Sequence, residues 1–244
     1  MSKTVIVTGA SSGIGFAVAE AYLKRGYNVV GNARTIERLK EAADKLGNPA
    51  NFLLVPGDIA KPATAKALFE RAVAAFGKVD ILINNAGIFI AKPTTDYTEQ
   101  ELDDLLNTNL KGVFFPSQQA AAHMGANKSG HIVNITASIA MQPNVKVPAL
   151  LPVLIKGGLN NATRALAIEL AASNVKVNAV APGIIATPMH STDEATQSFF
   201  RTLSPSGTTG VTDDVVNAVL YLTESNFTSG TILPVDGGAT AGTW

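Results

Sequence analysis

Short β-branched runs alternate with longer amphipathic segments along this chain, a rhythm that predicts a parallel sheet covered by helices on both faces. Val5 to Val7 forms the first predicted strand. Ile14, Ala17, Val18, Ala21 and Tyr22 then recur at helical spacing, and Lys24, Arg25 and Gly26 close that helix with cations and a terminator. The alternation continues with a strand at 28–33, a helix at 35–46, a strand at 52–55, a helix at 63–76 and a strand at 79–83. A long helix is predicted from about Glu99 to Met124, then a strand at 132–135, a helix ending near Ala172, a strand at 175–180 and a last strand at 232–235. Seven strands in one sheet result. Right-handed crossovers put their carboxyl ends, and any ligand, along one edge.

No internal repeat, low-complexity tract or Pro/Gly/Ser-rich linker divides the sequence, so residues 1–244 read as a single domain. One stretch, Thr187 to Gly210, fits neither period. Long loops in compact domains are usually functional, and this one is expected to act as a substrate loop. Its Met189, His190, Phe199 and Phe200 suggest an apolar pocket with one titratable group.

Composition narrows the choice of partner. The 19 Lys and Arg balance 19 Asp and Glu without any block of like charge, which argues against nucleic acid or an anionic membrane surface. With no cysteine, disulfides, thiolate nucleophiles and Cys-rich zinc sites are excluded together. His123, His131 and His190 lie at no metal-ligand spacing, so no metal is expected. The apolar run near the start is too short for a secretory core or a membrane span, and a soluble, cytoplasmic location is expected.

The chemistry begins at Thr8-Gly9-Ala10-Ser11-Ser12-Gly13-Ile14-Gly15, between the first strand and the first helix. Gly9 allows a tight turn, Gly13 lets backbone approach a pyrophosphate, and Gly15 lets helix pack on strand. Together with Asn84-Asn85-Ala86-Gly87, Asn109-Leu110-Lys111-Gly112, Pro182-Gly183 and Asp236-Gly237-Gly238, this makes the chain closely resemble the short-chain dehydrogenase/reductase family over essentially its whole length. The resemblance implies an α/β, Rossmann-type doubly wound fold, assembled as a homotetramer or dimer and acting on a small carbonyl or alcohol. It also implies cofactor contacts from Thr8, Gly9, Ser11, Ser12, Gly13, Ile14 and Gly15 at the pyrophosphate, and from Asp58 and Ile59 at the adenine. Asn85, Ala86 and Gly87 would line the central strand end, Pro182 and Gly183 after the sixth strand would also contact the cofactor, and Ile184 and Thr187 would meet the nicotinamide carboxamide.

The second strand ends Asn32-Ala33-Arg34, where NAD-preferring relatives place an aspartate at position 33. Ala33 leaves room and Arg34 offers a fork for a 2′-phosphate, so NADP(H) is expected over NAD(H). The alternative is that Arg34 is one more solvated charge before a helix.

The family's reaction uses an asparagine, a serine, a tyrosine and a lysine. Asn109, Ser138 and Lys156 align with three of them, although Ser138 sits one residue later than the commonest register and Thr136 offers a competing hydroxyl. The tyrosine slot holds Pro152. Among Tyr22, Tyr27, Tyr97 and Tyr221 none has a lysine four residues on, and only Tyr97, in the loop after the fourth strand, could swing inward. Val147, Pro148 and the run from Leu150 to Ile155 are apolar, which suggests a lineage adapted to lacking the phenol. In that setting Lys156, depressed in pKa, would either deliver a proton itself or through a water, or would only hold the cofactor ribose.

The expected function is an NADP(H)-dependent oxidoreductase, of carbonyl-reductase or alcohol-dehydrogenase type, with a non-standard proton donor. The alternative is an NADP(H)-binding protein without redox turnover, either a sensor or an inactive subunit; a non-redox lyase or isomerase is the remote third.

Overall fold

Seven parallel strands form one sheet in the order β3-β2-β1-β4-β5-β6-β7 in a computed structural model that describes residues 2–189 and 193–242. The strands are β1 (Thr4–Thr8), β2 (Asn28–Ala33), β3 (Phe52–Pro56), β4 (Ile81–Asn84), β5 (Gly130–Ile135), β6 (Val175–Pro182) and β7 (Ile232–Val235). The helices are α1 (Gly13–Lys24), α2 (Ile36–Lys45), α3 (Pro62–Phe76), α4 (Glu99–Leu105), α5 (Gly112–Asn127), α6 (Leu150–Glu169), α7 (Glu194–Arg201) and α8 (Thr212–Glu224). Every predicted strand is present, with ends shifted by a residue or two.

Alternate residues of each strand face opposite layers, and both faces are covered, which is why the strands read as nearly unbroken apolar runs. Val5, Val7, Ile83 and Val180 pack toward α1 and α8 through Val18, Tyr22, Val215 and Val219. Ile6, Val30, Leu82 and Val177 pack toward α3, α5 and α6 through Leu68, Met124 and Ala167. Each such burial contributes about 1.5–3 kcal/mol. A polar chain crosses the second layer. Asn84 Nδ2 donates to Ser117 Oγ and to Asn134 Oδ1, Asn134 Nδ2 donates to Thr163 Oγ1, and Thr163 Oγ1 donates to the Leu159 carbonyl, at 2.8–2.9 Å.

Two expectations are corrected. The single helix predicted from Glu99 to Met124 is α4, a wide π-helical turn at Leu106–Lys111, and α5. The turn rotates Asn109 wholly inward, and Pro116 in α5 has no N–H to continue a regular ladder onto Gly112. Hydrophobic spacing does not register that change of winding. The stretch Thr187 to Gly210 is not all loop either. Asp193 caps α7 by accepting from the Thr196 N–H at 2.8 Å, with Glu194 in the first turn and Arg201 in the last. The excursion is closed at its base, where Gly210 donates to the Ile184 carbonyl and Ala186 donates to that of Gly210, both at 2.9 Å. His190 lies outside the described residues.

No helix among the described residues is long and apolar enough to cross a membrane.

Candidate active site

Strand order reverses between β1 and β4, and the carboxyl ends there open into a cleft of about 1320 Å³. Gly9, Ser11, Ser12, Gly13 and Ile14 form its first wall. Gly9 and Gly13 have φ of 68° and 55°, and a Cβ on Gly9 would stand 2.9 Å from Asn85 Nδ2. Helix α1 starts there with an extended Ser12, no side-chain cap and no acidic residue in its first turn, so its leading N–H groups suit an anion.

Thr8 and Gly15 do not line the cleft, contrary to the expected contacts. Thr8 is fully buried, and its hydroxyl accepts from the Asn85 and Ala86 N–H groups at 3.0 Å each, locking β1 to the end of β4. A Cβ on Gly15 would lie 2.3 Å from the Gly9 carbonyl oxygen, so this glycine sets the approach of α1 to the turn. Both shape the wall from behind.

At the far end the cleft reaches Ala33, Arg34, Asp58 and Ile59. Arg34 is exposed, and Asn32, which also lines this end, donates to the Val55 and Gly57 carbonyls at 3.0 and 3.1 Å. Arg38, which the sequence reading missed, lines the same end. Its signal was the spacing of four from Arg34 across the start of α2. Asp58 accepts from the Ala60 N–H at 3.0 Å, and Ile59 is buried.

Asn85, Ala86 and Gly87 line the middle, opposite Pro182, Gly183, Ile184 and Thr187. The Thr187 methyl lies over Gly13, 3.5 Å from where a Cβ would stand.

The remaining end is lined by Ser138 and Lys156, while Asn109, the third residue aligned with the reaction, is fully buried and does not line the cleft. Asn109 is clasped to Ile88 by two bonds of 2.9 Å, its Oδ1 accepting from the N–H and its Nδ2 donating to the carbonyl. Lys156 Nζ donates to the Ile135 carbonyl at 2.8 Å and pairs with no carboxylate among the described residues. Burial pushes its pKa down from 10.5 to about 8. A Cβ on Gly87 would fall 3.1 Å from Asn109 Oδ1 and 3.5 Å from Lys156 Nζ, so these polar ends meet at that glycine. Of the two hydroxyls, that of Thr136 donates to the Val180 carbonyl at 3.3 Å, while that of Ser138, a residue 7% exposed, makes no hydrogen bond among the described residues.

Pro152 is buried in the first turn of α6, one turn before Lys156, where a missing N–H breaks no ladder. The apolarity around it is not one surface. Leu154 is 62% and Leu150 48% exposed, Ile155 is in the core, and Val147 faces the cleft. Tyr97 does not swing inward; its hydroxyl donates to the Ile90 carbonyl at 2.8 Å and its ring carries Lys92.

A reversal-point cleft with a glycine turn at a helix start is the geometry that binds dinucleotides, and residues 3–198 match the family described as short chain dehydrogenase. The chain belongs to the short-chain dehydrogenase/reductase family. It is 35% identical over 241 residues to the (2S)-[(R)-hydroxy(phenyl)methyl]succinyl-CoA dehydrogenase subunit BbsD of Thauera aromatica, covering 97% of this chain and 96% of that one. It is also 35% identical over 243 residues to 2-dehydro-3-deoxy-D-gluconate 5-dehydrogenase of Escherichia coli K12, covering 97% and 94%. Among solved structures, ElxO with NADP bound superposes with a TM-score of 0.90 at 29% identity, covering 99% of this chain and all of that one. A tyrosine-to-phenylalanine variant of ElxO, with NADPH bound, matches equally well. The family relatives are oxidoreductases, and this chain carries the fold and the cleft of an NAD(P)-dependent oxidoreductase.

Proposed function

We propose that this short-chain dehydrogenase/reductase is an NADP(H)-dependent reductase of a small, largely apolar carbonyl compound, in which Lys156 and Ser138 serve the reacting oxygen without a phenol. The observation that carries this reading is that Lys156 and a Ser138 hydroxyl, neither bonded to another side chain among the described residues, line the same end of the cleft.

The cofactor fits the residues present. The glycine turn and the start of α1 would hold the pyrophosphate, Arg34 and Arg38 the 2′-phosphate, and Lys156 the nicotinamide ribose. When bound, NADPH supplies hydride. Ser138 would orient the acceptor oxygen by donating its O–H, and Asn109 would fix the Ile88 backbone beside it. Lys156, or a water it holds, would meet the charge that develops. The relatives named for NADP and NADPH support the phosphate-bearing cofactor.

Single-turnover consumption of NADPH against aldehydes, ketones and diketones tests this, with Lys156→Ala run in parallel and cofactor binding followed by fluorescence. Lysine-dependent oxidation of NADPH is expected. A Lys156→Ala chain that keeps its activity would sink the mechanism.

A second reading, a dinucleotide-binding chain without turnover, rests on Pro152 and on a relative that is itself named as a subunit. NADPH that binds tightly and is never oxidised is its signature. Exposed Leu110 and Phe114, and Leu150 and Leu154 on α6, fit a homo-oligomer, dimeric or tetrameric, which light scattering would measure.

A further inference from the structure

Hydride added to an isolated ketone leaves an alkoxide, nearly as basic as hydroxide, whose parent water has a pKa of about 16. Such an ion requires a proton as it forms. Hydride added to the β carbon of a conjugated carbonyl leaves an enolate instead, whose oxygen is closer in basicity to a phenolate, and a phenol has a pKa of about 10. That oxygen needs a hydrogen bond and a neighbouring positive charge; the proton is taken up later, at carbon.

The reaction end of the cleft holds groups for the second case. Ile135 closes β5 and takes the Lys156 hydrogen bond, and Ser138 opens the turn three residues later, so the two donors flank one strand end. An amine with a pKa of about 8 is still mostly charged at neutral pH. The carboxylates of Asp58, Asp214 and Asp236 also border the cleft, and each is engaged by backbone N–H groups of its own turn. Tyr97 is committed to Ile90, and Pro152 donates nothing. Phe89, Ile139, Val145, Val147, Met189 and Phe200 wall the cleft and suit a flat apolar body.

We propose that Ser138 and Lys156 form an oxyanion site for a conjugated carbonyl acceptor, an enone, reduced at its β carbon. This rests on the reductase reading above. A C–H bond forms at the β carbon, the C=C pair moves toward the carbonyl carbon, and the C=O pair moves onto oxygen. There Ser138 donates its O–H and the Lys156 ammonium balances the charge. Water then gives a proton to the α carbon, so one hydride from NADPH and one proton from solvent saturate the C=C bond and leave NADP⁺.

Two measurements test it. The first titrates para-nitrophenol, an enolate mimic, into the full chain with NADP⁺ and follows the phenolate absorbance. The phenolate is expected to bind, with Ser138→Ala and Lys156→Met each weakening it about tenfold or more. The second incubates cyclohexenone and benzylideneacetone, beside their saturated counterparts cyclohexanone and benzylacetone, with NADPH and identifies the products. Saturated ketones from the enones, and no reaction of the saturated ketones themselves, are expected. Alcohols from either set would overturn this inference while leaving the reductase reading intact. NADPH bound but oxidised by none of the four overturns both. His190→Ala is expected to keep its enone reduction, and its loss would hand the proton to that imidazole and overturn the inference.

Discussion

Lys156 reaches from α6 across the end of β5 and donates from Nζ to the Ile135 carbonyl at 2.8 Å. The bond fixes a buried cation at the mouth of a parallel strand, with no carboxylate among the described residues paired to it. Its field is therefore directed at whatever oxygen enters the cleft, and its removal separates function from stability.

Lys156→Met keeps the length of the side chain and removes the charge. Turnover is expected to fall at least a hundredfold, in line with the loss of a positioned charge or acid. The folded-state pKa of about 8 lies below the ordinary 10.5, so the folded chain sheds this proton first. Burial of the charged amine thus destabilises the wild type below pH 8, and the penalty is relieved as pH rises from 8 to 10.5. The wild type should gain on the order of 3 kcal/mol relative to Lys156→Met across that window. Urea denaturation of both chains at pH 7.5 and pH 10, values chosen on the order of that window's two ends, measures the difference.

Pro152→Tyr places a phenol one helical turn before Lys156. Simple ketone reduction is expected to rise by about a hundredfold, the lower range of what a positioned acid supplies. Product analysis with a saturated ketone decides it, with circular dichroism confirming that the fold survives a larger side chain. A folded variant that gains nothing would show that position 152 does not face the reacting oxygen.

Arg34→Ala should weaken NADPH binding by roughly tenfold to a hundredfold while leaving NADH nearly unchanged, because only the 2′-phosphate uses the fork. Arg38→Ala is expected to act in the same direction, more weakly. Fluorescence titration with both cofactors reads the ratio; equal losses for both would remove the phosphate assignment.

Asn134→Leu interrupts the buried chain that joins β4, β5 and α6, leaving the Asn84 amide and the Thr163 hydroxyl short of a partner. A loss of about 2–4 kcal/mol is expected. Thermal unfolding would show it, and a loss below about 1 kcal/mol would mean that water replaces the missing amide.

His131 tests the amino-terminal edge of the sheet. Burial first, then Lys3 and Lys176, hold its pKa down to about 4. The neutral ring is favoured in the folded chain, so its contribution is fully present above the ordinary 6.5 and is lost as pH falls from 6.5 toward 4. His131→Leu should flatten the acid limb of stability by about 1–2 kcal/mol; superimposable acid limbs for both chains would refute this.

The alternation of apolar strands with amphipathic helices, the glycine turn and the lysine one turn after Pro152 are local patterns, and the order of residues alone determined them. Each depends on a period of two or 3.6, or on the φ freedom of glycine, and those are properties of neighbouring residues. Tertiary structure decided the rest. It turned Thr8 and Gly15 away from the cleft, because β1 and α1 must pack against Asn85 and Gly9. It wound Asn109 inward on a π-turn, committed Thr136 to Val180 while leaving Ser138 open, and brought Arg38 beside Arg34. Where a polar atom finds its partner is set by chain segments far away in sequence. No local period records that choice, so the identity of the cleft was legible in the chain and the commitment of each donor within it was not.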